Sequence, residues 1–156
     1  MAERSLPLRA PARGSGLIVV GVDGSEGGRR ALDWAMHEAA ARDGTVQTVM
    51  SWRWDTEEPA PEGDQSPAQR AEQILRDEIA EHIAAVPAHA RITVAAEVVE
   101  GRAAEVLVRA ARDADLLVLG SHGHDRVHRT VLGSVAQECV EAARCPVVVI
   151  PQGWGS

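Results

Sequence analysis

LLVLGSHGHDRVHRTVLGSVAQECV, residues 116–140, changes character twice within one stretch. Leu116–Leu119 is a short apolar run that breaks at Gly120, the pattern of a buried strand. Ser134–Arg144 reads as a helix, so the chain passes from a strand through a glycine-hinged loop to a helix N-terminus. The loop is punctuated by Gly120, two residues, Gly123, nine residues, then Gly133 and Ser134. A helix start gathers unpaired backbone N–H groups and the positive end of the helix dipole, which suits an anion, phosphate in particular. Glycine removes the Cβ where the backbone turns with positive φ or touches a ligand.

The same alternation extends outward in both directions. Leu17–Val22, LIVVGV, has the look of a strand buried on both faces. After the turn Asp23-Gly24-Ser25, residues Leu32, Ala35, Met36 and Ala39 recur at helical spacing, with Gly44 as the residue that closes the helix. Thr45–Trp52 is a second strand. Residues 53–66, RWDTEEPAPEGDQS, carry five acids and two prolines without periodicity, so this segment is either mobile or a functional cover. Ser66-Pro67-Ala68-Gln69 is a capping box with proline at the first helical position, and Ala71, Leu75, Ile79, Ile83 and Val86 line one face up to Pro87. Residues 91–99 alternate Ile92, Val94, Ala96 and Val98 as a third strand that Gly101 stops. Ala104, Leu107, Val108 and Ala111 repeat the helical spacing, with Glu105 and Arg109 as an exposed pair four residues apart. Pro146–Ile150 is the fifth strand. Strand and helix alternate throughout, which predicts an α/β fold with one parallel sheet and helices on both faces.

Composition narrows the function classes. The 156 residues suffice for one domain, 45% hydrophobic and 25% charged, with no Phe or Tyr and four Trp, so Val, Leu, Ile and Ala must build the core. A net charge of −7, with no basic stripe, opposes nucleic acid as a partner. All 16 basic residues are Arg, which excludes a P-loop lysine or a Schiff-base lysine. Cys139 and Cys145 lack metal or redox spacing and read as two thiols, in keeping with a reducing cytoplasm. Residues 1–15 hold no long apolar core and read as a disordered tail, neither signal peptide nor membrane anchor. The domain is expected over 16–151, with 152–156 as a C-terminal tail.

The spacing Gly120-x2-Gly123-x9-Gly133-Ser134 resembles the nucleotide-binding signature of universal stress proteins, and VGVDGS, Glu100-Gly101, LLVLGSHG, VLGSV and CPVVVI extend the resemblance from Gly16 to Ile150. It implies strand order 3-2-1-4-5, which sets Asp23 and Gly120 side by side at the switch point of a doubly wound sheet. It also implies ATP as the ligand, with any Mg²⁺ carried by the nucleotide, and a homodimer through the fifth strand. The implied binding residues are Val22, Asp23 and Ser51 at the adenosine end, with Leu119. Gly120, Gly123, Gly133, Ser134, Val135 and Ala136, aided by Arg126 and Arg129, form the phosphate end. Family members that bind ATP usually carry a second hydroxyl where this chain has Ala136. Losing one hydrogen bond to charged phosphate costs roughly 1.5–3 kcal/mol, about tenfold to a hundredfold in affinity unless an Arg compensates.

Each candidate also has a plain structural reading. Ser134-Val135-Ala136-Gln137 is a capping box, and its hydroxyl can cap the helix while donating to phosphate. Asp23 is equally a turn residue beside Ser25. His122, His124 and His128 sit on a loop with no element to fix them, which predicts solvated side chains and no metal site. Trp52 and Trp54 either cover apolar surface or stack on a base. No catalytic residue is assigned: the chain lacks Lys, a placed base and a carboxylate pair at the switch point. The expectation is a nucleotide-dependent binding and signalling protein with little turnover. Its alternative is a member that has lost the nucleotide and serves as a dimeric interaction module.

Overall fold

The computed structural model describes residues 16–53, 65–124 and 132–154. Its strands are β1 (Leu17–Gly21), β2 (Thr45–Trp52), β3 (Val94–Glu100), β4 (Leu116–Gly120) and β5 (Val147–Ile150). They form one parallel sheet in the order β3-β2-β1-β4-β5, the order the resemblance implied. Its helices are α1 (Glu26–Arg42), α2 (Pro67–Ala85), α3 (Ala103–Ala110) and α4 (Ser134–Ala142).

Strand parity sorts the core into two layers. Ile18, Val20, Val46, Met50, Val118 and Ile150 pack with Ala31, Leu32, Ala35, Met36, Ala71 and Leu75, the apolar stripes of α1 and α2. Val19, Val49, Leu117 and Leu119 face the other way, against Ala104, Val106, Leu107, Ala136 and Cys139 of α3 and α4. Alternate residues of a strand point to opposite faces, so continuous apolar runs are what a sheet covered on both sides requires. Asp115 fixes the stagger of the central pair, its Oδ2 accepting from the Leu17 N–H at 2.8 Å.

Helix starts follow local chemistry, with exceptions. Ser25 caps α1, its Oγ accepting from the Gly28 N–H at 3.1 Å. The capping box at Ser66 and Gln69 forms in both directions, at 2.9 and 3.2 Å. The expected box at Ser134 does not form. Gly133 is the N-cap and Ser134 the first helical residue, because the Gly133 N–H is drawn to the Ser121 carbonyl at 2.6 Å. At the end of α1 the left-handed residue is Asp43, at φ 54°, and Gly44 is small because a Cβ would stand 2.6 Å from the Gly16 carbonyl oxygen. The third strand begins later than expected: Pro87–Arg91 turns as a short 3-10 helix, which buries His89 and lets Ile92 pack on the core. Glu105 takes Arg102 at 2.9 Å rather than Arg109, and Arg102 also reaches Glu138 at 2.8 Å, joining α3 to α4. Both cysteines are free thiols, and burial pushes Cys139 up to about 11. Trp154 packs against the α1–α2 core layer, so the chain stays with the fold beyond Ile150. Residues 1–15 lie outside the described part. No helix among the described residues is long and apolar enough to cross a membrane.

Candidate functional site

Beyond the carboxyl ends of β1 and β4, where the strand order reverses, the chain leaves a cavity of about 270 Å³. Crossovers from the two strands depart to opposite faces of the sheet, which opens a crevice there in any doubly wound fold. Val22, Asp23, Ser51, Leu119, Gly120, Gly123, Gly133, Ser134, Val135 and Ala136 all line it. Arg126, Arg129, His128 and Trp54 lie outside the described residues.

Part of the cavity lining is apolar. Val22, Val49 and Leu119 come from the strand ends, and Ala103 and Leu107 close it from α3. Part of it is polar backbone. Ser134, Val135 and Ala136 occupy the first three positions of α4, whose N–H groups have no partner within a helix. With the capping box unmade, the Ser134 hydroxyl makes no cap bond to its own helix. Ala136, 2% exposed, brings a methyl group where a hydroxyl would otherwise stand.

The glycines serve packing more than torsion. Positive φ occurs only at Gly24 (85°) and Gly101 (143°) among the described glycines. Gly120 instead lies against the backbone of Gly27, where a Cβ would stand 2.8 Å from its carbonyl carbon and oxygen. Gly123 lies against the Asp23 carboxylate, which would have to shift to admit a Cβ there. The close approach of the β1–α1 turn to the β4–α4 loop therefore shapes the cavity floor. His124 ties the same two segments together, its Nε2 lying 2.6 Å from the Asp23 carbonyl oxygen, which requires Nε2–H to donate.

Asp23 lines the cavity, and its Oδ1 accepts from the Ser25 N–H at 3.0 Å and from the Ser25 hydroxyl, as a turn residue would. It is the one carboxylate among the described lining residues, and those residues include no Arg. His122 corrects the expectation of a solvated loop. It is 8% exposed, lines the cavity and has its Nδ1 3.2 Å from the Ser121 hydroxyl. Trp52 packs against the α1–α2 core layer, whereas Ser51 lines the cavity, so Trp52 is placed to cover apolar surface. Ser25, Gly28, Val49, Ala103, Leu107, Ser121, His122 and His124 were not among the expected lining residues. Strand parity pointed to Val49, two residues before Ser51, but nothing local marks Ala103 or Leu107.

A five-stranded doubly wound sheet with a ligand-sized cavity at its switch point defines the class of this protein. The universal stress protein family model matches residues 16–151, and the chain belongs to that family. It is 34% identical over 134 residues to universal stress protein Rv2624c of Mycobacterium tuberculosis, covering 85% of this chain and 47% of that protein. Universal stress protein Mb2028c of Mycobacterium bovis is 33% identical over 138 residues, covering 85% and 47%. The chain thus spans about half the length of the curated relatives it matches. Among solved structures, a universal stress protein in complex with cAMP superposes with a TM-score of 0.64 at 26% identity, covering 86% of this chain and 95% of that one. A family member from Burkholderia pseudomallei gives 0.60 at 29% identity, covering 88% and 97%.

Proposed function

We propose that this cavity binds an adenine nucleotide, ATP by preference, and that occupancy rather than turnover is the signal the protein passes on in a cytoplasmic stress response. The carrying observation is that one cavity is lined both by apolar side chains, suited to a base, and by helix N–H groups with no partner within the helix, suited to phosphate. The relative solved with cAMP supports an adenine ligand. Val22, Asp23 and Ser51 would meet the nucleoside; Gly120, Gly123, Gly133, Ser134 and the N–H groups of Val135 and Ala136 would meet phosphate, with Arg126 and Arg129 supplying charge. Asp23 already accepts two hydrogen bonds from Ser25, so the chain offers a poor cage for a divalent cation and Mg²⁺ would arrive on the nucleotide. With Asp23 the one carboxylate in the described wall, and already bonded to Ser25, hydrolysis would be very slow. The free edge of β5 would pair with a second copy, giving a homodimer.

Ala136 favours one other reading, a dimeric module that has lost the nucleotide. One comparison separates the two. Native mass spectrometry and calorimetry of the purified chain are set beside Ala103→Phe, which fills the cavity from the first turn of α3. The binder reading predicts bound adenine nucleotide or measurable ATP affinity in the parent and a loss of at least tenfold in the variant, with circular dichroism unchanged. A parent that never binds ATP, ADP or AMP leaves the interaction module standing.

A further inference from the structure

Away from the cavity, three histidines meet where α2 and the 3-10 helix pack on α1. His82 Nε2 and His89 Nδ1 lie 2.8 Å apart, with the ring planes within 20° of parallel and centroids 5.1 Å apart. His37 meets His89 at 4.7 Å and 81°, and His82 at 6.2 Å. The Asp33 carboxylate stands 3.5 Å from His82 Nδ1 and 3.6 Å from His37 Nδ1, which also reaches the Asp33 carbonyl at 2.8 Å. His89 is 6% exposed and the His82 side chain 8%. Arg91, at the end of the 3-10 helix, adds its charge on the His89 side.

These nitrogens do not converge as ligands would. His82 turns Nε2 to His89 and Nδ1 to Asp33, on opposite sides of its ring, and no group of His, Cys, Asp and Glu among the described residues could hold a metal. What they form is a chain from carboxylate to imidazole to imidazole that spans α1, α2 and the 3-10 helix. A hydrogen bond between two imidazole nitrogens needs one N–H and one lone pair. The neutral pair satisfies this, and so does a pair carrying one extra proton on His82 between Asp33 and His89. A second extra proton sets N–H against N–H and two cations side by side, with His37 and Arg91 adjoining and Asp33 the carboxylate at hand among the described residues.

We propose that this seam is an acid-operated latch: it holds α2 and the 3-10 helix on α1 near neutral pH, and double protonation of the His82–His89 pair releases them. The response needs no ligand in the cavity. Burial pushes His82 below the usual imidazole range, with His89 and His37 adding to the effect against the pull of Asp33. Burial likewise pushes His89 down, helped by His37 and Arg91 and opposed by Asp33. The unfolded chain therefore takes up these protons first. The stability they govern is fully present above the ordinary histidine value of about 6.5 and is lost as pH falls through and below it.

The test is a pH series of urea unfolding on the ligand-free protein between pH 8 and pH 5, with the histidine rings followed by NMR in the folded state. Each proton the fold excludes raises the unfolding constant by up to about tenfold per pH unit, and the second proton on the pair is the one its hydrogen bond excludes. The doubly substituted His82→Gln, His89→Asn protein keeps an amide at each bonding position but cannot titrate, so its unfolding constant should respond far less to acid. Folded-state rings of His82 and His89 that titrate at the ordinary value would overturn the latch. So would a substituted protein that keeps the parent's full acid response. Should that protein fail to fold, the ring titrations of the parent decide alone: a depressed value for the second protonation of the pair supports the latch, and ordinary values for both rings overturn it.

Discussion

Replacing Gly120 by alanine tests whether the loop glycines are there for the fold. A Cβ at this position would stand 2.8 Å from the carbonyl carbon and oxygen of Gly27 and 2.9 Å from its Cα. All three are backbone atoms, which no rotamer change can move aside. Gly120 is not among the positive-φ glycines, so alanine meets no torsional penalty, and the entropy it removes from the unfolded chain favours the variant by about 0.4–1 kcal/mol. Forcing backbone from backbone in a packed interior costs about 1–3 kcal/mol, so the contact prevails and the variant loses roughly 1–2 kcal/mol. At about 2–4 °C per kcal/mol for a chain of this size, the melting midpoint of the ligand-free protein should fall by about 2–8 °C. Gly133→Ala is the control. Its nearest neighbours would be the Ser121 carbonyl oxygen at 3.1 Å and His122 Cα at 3.4 Å, so a small shift suffices and the loss should stay under about 1 kcal/mol. Scanning calorimetry on both variants reads the difference. A Gly120→Ala midpoint at or above the parent's, or a Gly133→Ala variant that suffers more, would refute the assignment of Gly120 to the contact between β4 and α1.

Two further outcomes follow from other parts of the fold. The Glu78 side chain is 4% exposed, neither carboxylate oxygen is hydrogen-bonded, and its partner Arg29, 3.6 Å away, is 56% exposed. Burial raises the Glu78 carboxyl against the opposing pull of Arg29, so the charged form is penalised in the fold above that raised value and relieved as pH falls through it. Glu78→Met should therefore stabilise the protein by about 1 kcal/mol near neutral pH, because Arg29 is left in solvent rather than buried alone, and the gain should shrink in mild acid. A urea titration at both pH values that finds the variant weaker near neutrality would count against it. For the proposed dimer, the carbonyls of Pro146 and Ile150 accept from β4, so by alternation the N–H of Val149 points to the outer edge. Val149→Pro deletes that outward donor while sparing the β4 ladder, and sedimentation should show weaker self-association; an unchanged dimer would place the interface elsewhere.

The order of elements was legible because it rests on local patterns. Apolar runs such as Leu17–Val22 and the helical spacing of Leu32, Ala35, Met36 and Ala39 depend only on period, and Thr45–Trp52 matched to the residue. The capping box at Ser66 held for the same reason: its partners are three residues apart and lie in one turn. At Ser134 an identical local pattern failed, since a carbonyl thirteen positions away in the loop, that of Ser121, competed for the helix start. Glycine spacing pointed to residues that the fold brings around one cavity, yet the packing of Gly120 and Gly123 is visible only when the β1–α1 turn is laid against β4. His37, His82 and His89 carry no mutual signal along the chain, nor do Glu105 and Arg102 against Glu138. Period and capping are properties of neighbours within one turn or strand, whereas these pairings join elements whose faces and stagger are set by the sheet as a whole.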